Sequence, residues 1–143
     1  MKPLYILYPI FPLVALTFYI TIRMARLRVR AVLQDGLKAS YFKNNRGAEP
    51  PEYMLRTDQH YINLLEQPVL FYVACLLAYV TTSVDMLLIS LAWLFVASRL
   101  VHTVIHLGSN KILKRRKAFI VSMFILISLW CVLLVKLLQV PIN

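Results

Sequence analysis

Cysteine, glycine and acidic residues are scarce in this 143-residue chain, which has only two, three and six of them respectively. Cys75 and Cys131 lie in apolar segments and form no CxxC motif or metal-ligand spacing with histidine, so we interpret both as packing residues and predict no metal site. The sequence also lacks internal repeats, low-complexity tracts and a recognisable domain boundary. These absences favour one domain that spans residues 1–143.

Charge is scarce as well, and this decides the class of protein. Charged residues make up 15% of the chain and hydrophobic residues 60%, with a mean hydropathy of +0.70, which is more apolar than a soluble domain. Segments 3–22, 67–84 and 118–135 carry no charge, and segment 86–107 is apolar apart from Arg99, His102 and His106. Each segment is close to the length of about 20 residues that a membrane-spanning helix needs.

A backbone inside lipid must form its hydrogen bonds internally, so these segments are predicted to be helices and not strands. We therefore predict an all-α membrane protein, an antiparallel four-helix transmembrane bundle with helices at about residues 3–30, 56–82, 86–107 and 112–138. The first segment contains three prolines and no small-x-small cleavage site, so we interpret it as a retained helix and not as a cleaved signal.

Basic residues predict the orientation, because lysine and arginine near helix ends stay on the cytosolic side. Thirteen of the sixteen lie either in segment 23–56, between the first two predicted helices, or in segment 111–117, between the last two. Both loops are therefore predicted to be cytosolic and both termini external. This topology and the attraction to anionic headgroups explain the net charge of +10, so we predict membrane lipids as partners and no nucleic acid.

Polar residues within the second and third predicted helices lie at matching depths. Counting 1.5 Å per residue from the cytosolic surface places Glu66 about 12 Å deep and Arg99 about 13 Å deep. The same count matches Asn63 with His102 and Gln59 with His106. Arg56, Gln59, Asn63 and Glu66 share one helix face by their spacing, as do Arg99, His102 and His106. Two interpretations remain open, namely a buried Glu66–Arg99 ion pair that fixes helix register, or a pocket for a polar, anionic ligand.

Arg115 opens the fourth predicted helix at the cytosolic surface. A cation beside a thiol lowers the thiol pKa from about 8.5 toward neutrality and favours the nucleophilic thiolate. Arg115 is therefore a candidate for activating a thiol cofactor. The alternative is that the whole basic stretch 111–117 only anchors the helix end at the membrane surface.

These residues resemble those of the MAPEG family, the membrane-associated proteins in eicosanoid and glutathione metabolism. The resemblance rests on Arg56-x6-Asn63-x2-Glu66 followed by Pro68 and Phe71, on Arg99-x2-His102-x3-His106 followed by Leu107-Gly108, and on the basic start of the fourth helix. It covers nearly the whole chain in helix number, loop lengths and orientation. The compact N-terminal anchor is compatible with a bacterial-type member, which we would expect in the bacterial inner (plasma) membrane.

The resemblance implies a homotrimer that binds glutathione between subunits and acts on a lipophilic electrophile or a lipid hydroperoxide. Asn63 and Glu66 would hold the peptide, and Arg99 would pair with a carboxylate or orient Glu66. The implied cofactor-binding residues are Arg56, Gln59, Asn63, Glu66, Arg99, His102 and His106, and the implied catalytic residue is Arg115.

Four positions depart from the pattern of the glutathione-using members. His106 and Phe119 stand where tyrosine is usual, while Gln59 replaces an arginine seen in some of them. Arg116 stands where a small hydroxyl residue is found. These departures leave open a non-catalytic member that binds lipid or a protein partner. A proton-coupled transporter built around Glu66 is less favoured, because Arg99 lies at the depth needed to neutralise it.

Overall fold

In the computed structural model, which describes residues 2–139, the chain forms a bundle of long helices. A 3₁₀ turn at Pro3–Leu7 precedes α1 (Ile10–Leu33), α2 (Tyr41–Asn44), α3 (Glu52–Val80), α4 (Met86–Leu107) and α5 (Ile112–Leu138). Four helices, α1 with its preceding turn, α3, α4 and α5, are long and apolar enough to cross a membrane. The prediction of an all-α, four-helix membrane bundle is confirmed.

The first and second transmembrane helices differ in detail from the predicted ranges. The segment before Ile10 forms a 3₁₀ turn, and the α-helix then continues to Leu33. Proline is tolerated in the first helical turn, where its missing N–H has no intrahelical acceptor, so Pro12 fits inside α1. α3 begins at Glu52, directly after Pro51, which is four residues before the start predicted at residue 56.

The apolar core occupies the half of the bundle beside the turn between α3 and α4. Phe71 of α3 stacks on Phe95 of α4 with ring centroids 4.7 Å apart, and Leu129 and Leu133 of α5 pack against the same cluster. A smaller cluster at the opposite end packs Ala31 of α1 and Met54 of α3 against the loop that contains α2. Between the two clusters most of the buried side chains of α3, α4 and α5 are polar, and the candidate site lies there.

Asp85 is the N-cap residue of α4 and lies outside the apolar segments. Its side chain accepts a hydrogen bond from the backbone N–H of Leu88 at 2.9 Å, as an N-cap residue does, and it lies 2.6 Å from the ammonium of Lys136 on α5. Partial burial acts to raise the pKa of Asp85, but the Leu88 hydrogen bond and Lys136 outweigh it and hold the pKa below its usual value. The carboxylate thus joins the α3–α4 turn to the end of α5.

Replacing Asp85 with alanine is expected to lower the free energy of unfolding in detergent by about 1 kcal/mol, mostly through loss of the cap. Because the folded pKa is depressed, this contribution is present above the unfolded pKa and is lost as the pH falls through the folded pKa. Lys136→Met is the control, since it keeps the cap and removes only a half-exposed ion pair that contributes little. Equal losses in both variants would assign the effect to the pair and contradict the capping role.

Candidate functional site

Arg99 of α4 is the largest fully buried side chain among residues 2–139, and it is held by hydrogen bonds to α3. Its Nη1 donates to Oε1 of Gln67 at 3.1 Å, and its Nη2 donates to the backbone carbonyl of Asn63 at 3.1 Å. Oε1 of Gln67 also accepts from Oγ of Ser122 on α5 at 3.0 Å. This network, which we call the Arg99 network, joins the three helices that surround the site.

One of the two interpretations left open by the sequence, a buried ion pair between Glu66 and Arg99, is not formed within the described residues of the single chain. Glu66 is exposed on the outer surface of α3, beside exposed apolar residues such as Leu65 and Leu70. Successive helical residues are rotated by about 100°, so the face of α3 that meets α4 carries Gln67 and not Glu66. The depth of the polar residues was predicted from counting, but the direction of Glu66 was not.

A cavity of about 570 Å³ lies between α3, α4 and α5. Five of the residues singled out from the sequence line it, namely Gln59, Asn63, His102, His106 and Arg115. Ile62, Ile112, Arg116 and Phe119 also contribute to its wall. The volume is in the range of small-molecule sites, and a few polar groups within an apolar wall are typical of such sites.

Arg115 lies in the first turn of α5, at the edge of this cavity. Its Nη1 donates to Oδ1 of Asn110 at 3.0 Å and lies 3.4 Å from Nε2 of His106. Asn110 has a left-handed backbone conformation, with φ of 45°, which asparagine tolerates better than most residues. The turn between α4 and α5 therefore positions the guanidinium beside the cavity and does not leave it free in solvent.

Arg56 lies outside the cavity. Its Nε donates to Oε1 of Glu52 at 3.0 Å, and with Arg23 and Thr57 it lines a separate cavity of about 290 Å³. Glu66 and Arg99 are also not among the residues that line the main cavity. Of the eight predicted site residues, the single chain therefore brings five to one cavity and places three around it.

The family assignment follows from these helices and from the sequence as a whole. The MAPEG family model matches residues 6–135, which include α1, α3 and α4, all of α5 except its last three residues, and every residue of the cavity. The chain belongs to the MAPEG family. It is an integral membrane protein of the four-helix type. Comparisons with curated proteins and with solved structures give no significant match.

In this MAPEG chain, all four departures from the glutathione-using pattern line the same cavity as Arg115. Phe119 has no hydroxyl to donate, whereas Gln59 and His106 keep hydrogen-bonding groups. Arg116 adds a second cation beside Arg115. The departures thus change which groups donate hydrogen bonds while the cavity stays polar and cationic.

His60 is the residue of this MAPEG site that sequence reasoning missed. It is fully buried on α3, with its ring centroid 5.1 Å from that of His106 and 5.9 Å from that of His102. The available signal was that the chain has only three histidines and that helix depth places all of them at one end of the bundle. His60 lies one residue beyond Gln59, on the face of α3 that meets α4.

Proposed function

We propose that this MAPEG protein binds glutathione in the cavity between α3, α4 and α5 and uses its thiol on lipophilic compounds from the membrane. The observation that supports this most strongly is the position of Arg115, 3.4 Å from His106 at the edge of a cavity that Gln59 and Asn63 also line. In this proposal Arg115 is the catalytic residue, because a guanidinium beside the sulfur stabilises the thiolate.

The polar groups of the cavity match the chemistry of a short anionic peptide. Arg115 and Arg116 provide two cations for the two carboxylates of glutathione or for its thiolate. The amide nitrogen of Asn63 donates to the backbone carbonyl of Gln59 at 3.0 Å, so its amide oxygen is oriented to accept a hydrogen bond from the peptide. Gln59 and His102 also line the cavity, and their side chains can both donate and accept hydrogen bonds.

The proposed reaction is attack of the glutathione thiolate on a lipophilic acceptor. With an electrophilic carbon, a C–S bond forms and the bond to the leaving group breaks, or a proton adds to the neighbouring atom. With a lipid hydroperoxide, the sulfur attacks the terminal oxygen, the O–O bond breaks and an alcohol leaves, after which a second glutathione yields the disulfide and water. The exposed apolar side chains of Ile62 and Ile112 on the cavity wall provide a path from the lipid.

A homotrimer is part of the proposal, and the exposure of Glu66 supports it. A carboxylate on a lipid-facing helix surface is costly, so residues of this kind usually face a protein interior. Packing a second copy against this face of α3 would cover Glu66 and bring it to the wall of a shared site. Glu66 and Arg56, which are accessible on one chain, then contribute to cofactor binding at the subunit boundary. Arg99 is fully buried and would support cofactor binding from within one chain, through its hydrogen bond to the Asn63 carbonyl.

The proposed orientation places the cavity on the cytosolic side, where glutathione is available. The basic segments 23–56 and 111–117 flank the ends of α3, α4 and α5 nearest the cavity, and the positive-inside rule assigns both to the cytosol. Both termini are then external, and the proposed location is a bacterial inner (plasma) membrane.

Glutathione binding is the direct test. Calorimetric titration of the detergent-purified protein with glutathione is expected to show binding at millimolar concentration or below, and Asn63→Ala is expected to weaken it about tenfold, by loss of one hydrogen-bonding group in the cavity. Ser128→Ala is the matched control, because Ser128 is exposed on α5 and bonds only to the Phe124 carbonyl of its own helix. Absence of binding in the wild type would contradict the proposal.

A non-catalytic MAPEG protein that binds lipid or a protein partner is the second candidate. It is favoured by the lining of the cavity, which includes no tyrosine among residues 2–139. Retained lipid binding without thiol-dependent turnover would select this candidate over the enzyme.

A further inference from the structure

The three histidines of this chain form one buried cluster, which we call the histidine cluster. His60 of α3 and His102 and His106 of α4 are each at most 1% exposed. They are the only histidines in the 143-residue sequence, so the fold brings every histidine of the chain to one place. Each offers a ring nitrogen, and these three nitrogens all lie within 4.8 Å of one another.

The hydrogen-bonding state of the cluster is unusual for buried polar groups. Both ring nitrogens of His60, both of His102 and Nδ1 of His106 have no hydrogen-bond partner among the described residues. A buried polar group without a partner costs about 1–3 kcal/mol, so several in one place require an explanation. A shared ligand between the rings would satisfy one nitrogen of each histidine at once.

We propose that the histidine cluster binds one Zn²⁺ ion through His60, His102 and His106. Imidazole nitrogen is a preferred zinc ligand, and two histidines four residues apart on one helix face, as His102 and His106 are, form a recurrent half of such sites. The cluster contains no cysteine, and a zinc site does not require one, because three histidines with one exchangeable fourth position are a known zinc arrangement.

The distances fit this geometry with a small adjustment. Nitrogens bound to one tetrahedral zinc ion are about 3.3 Å apart, given Zn–N bonds of about 2.0 Å. The ring centroids in such a site are then about 5 Å apart, and the observed separations are 5.1, 5.6 and 5.9 Å. Rotation of the imidazole rings closes the remaining difference, so the backbone of α3 and α4 need not move.

The fourth position of the zinc ion faces the cavity. His102 and His106 line the cavity while His60 lies behind them, so an ion held by all three presents its open side to the cavity. Nη1 of Arg115 lies 3.4 Å from Nε2 of His106, so an ion bound to His106 would have the guanidinium close by, and repulsion between the two cations disfavours a bare divalent ion. The fourth ligand is therefore an anion, such as hydroxide or a thiolate, whose charge offsets that of the metal.

Zinc binding also changes the role of Arg115. A neutral imidazole bound to metal through one nitrogen carries its proton on the other, and that N–H does not accept a hydrogen bond from a guanidinium. The contact between Arg115 and His106 would therefore open. Arg115 then keeps Asn110 as its acceptor and is free to bind an anion in the cavity.

The test is metal content of protein purified in detergent with an affinity tag that contains no histidine. After incubation with Zn²⁺ and gel filtration, the wild type is expected to retain about one zinc ion per chain and His60→Asn at least tenfold less. In Co²⁺, the wild type is expected to show the visible bands of a tetrahedral site. Cys131→Ser is the matched control, because Cys131 is an exposed thiol outside the cluster.

Two results would overturn the proposal. One is wild-type protein that retains no zinc, and the other is folded His60→Asn that retains as much zinc as the wild type. Because His60 is fully buried, replacing it can also prevent folding, so X-ray absorption at the zinc edge of the wild type is a second measurement. Three imidazole ligands are expected, and fewer would contradict the site. His60 does not line the cavity, so glutathione binding by folded His60→Asn separates failure of the zinc site from failure of the proposed function.

Discussion

Arg115→Ala is expected to lower glutathione-dependent turnover at neutral pH by about 100-fold, the size of effect seen when a group that stabilises developing or transferred charge is removed. The guanidinium is held by Asn110 beside the cavity, where no carboxylate lines the wall to neutralise it among the described residues. Loss of this cation removes the main reason for thiolate to form below its usual pKa of about 8.5. Much of the activity should therefore return as the pH is raised.

The measurement is the pH dependence of kcat/KM with a small lipophilic electrophile, for the wild type and Arg115→Ala. Lys114→Ala is the matched control, since it removes an exposed positive charge one residue away that does not line the cavity. Arg115→Lys is expected to recover part of the rate, because it restores the charge without the planar donors. Equal losses in Lys114→Ala and Arg115→Ala would show that the general charge of the basic stretch matters, and would contradict a specific role for Arg115.

The transmembrane helices could be predicted from the sequence because lipid imposes on each of them a minimum length and a low number of charged residues. The run from Met86 to Leu107 is an example, since it is bounded by Asp85 before it and Gly108 after it. The short helix Tyr41–Asn44 has no such constraint, because it lies in a polar loop and is held by a few contacts near Met54. Periodicity in so short a segment carries little information.

The site was predicted less completely because depth and direction are different quantities. Counting residues from the membrane surface places Glu66 and Arg99 at the same level, but one residue along α3 changes the direction of a side chain by about 100°. Gln67 therefore contacts Arg99, and Glu66 lies on the outer surface. Sequence reasoning missed His60 for the same reason, because His60 follows Gln59 by one residue and is therefore rotated by about 100° from the polar stripe of α3. Its ring lies beside the histidines of α4.

Gln67→Leu is expected to have the largest effect on stability, lowering the free energy of unfolding by about 2–3 kcal/mol. The amide oxygen of Gln67 accepts hydrogen bonds from Arg99 and Ser122 at 3.1 and 3.0 Å, and all three side chains are buried. A hydrogen bond to a charged group contributes about 1.5–3 kcal/mol, and its loss leaves a guanidinium with only the Asn63 carbonyl as a partner. Leucine has a similar volume, so packing changes add little.

Unfolding in detergent followed by circular dichroism measures this effect, and three comparisons assign its cause. Ser122→Ala removes one neutral donor from the same oxygen and is expected to cost about 0.6 kcal/mol, as is usual between membrane helices. Gln67→Glu retains an acceptor for Arg99 and adds an opposite charge, so it should keep most of the stability that Gln67→Leu loses. Glu66→Gln changes a side chain that forms no hydrogen bond with Arg99, and a greater loss there than in Gln67→Leu would restore Glu66 as the partner of Arg99.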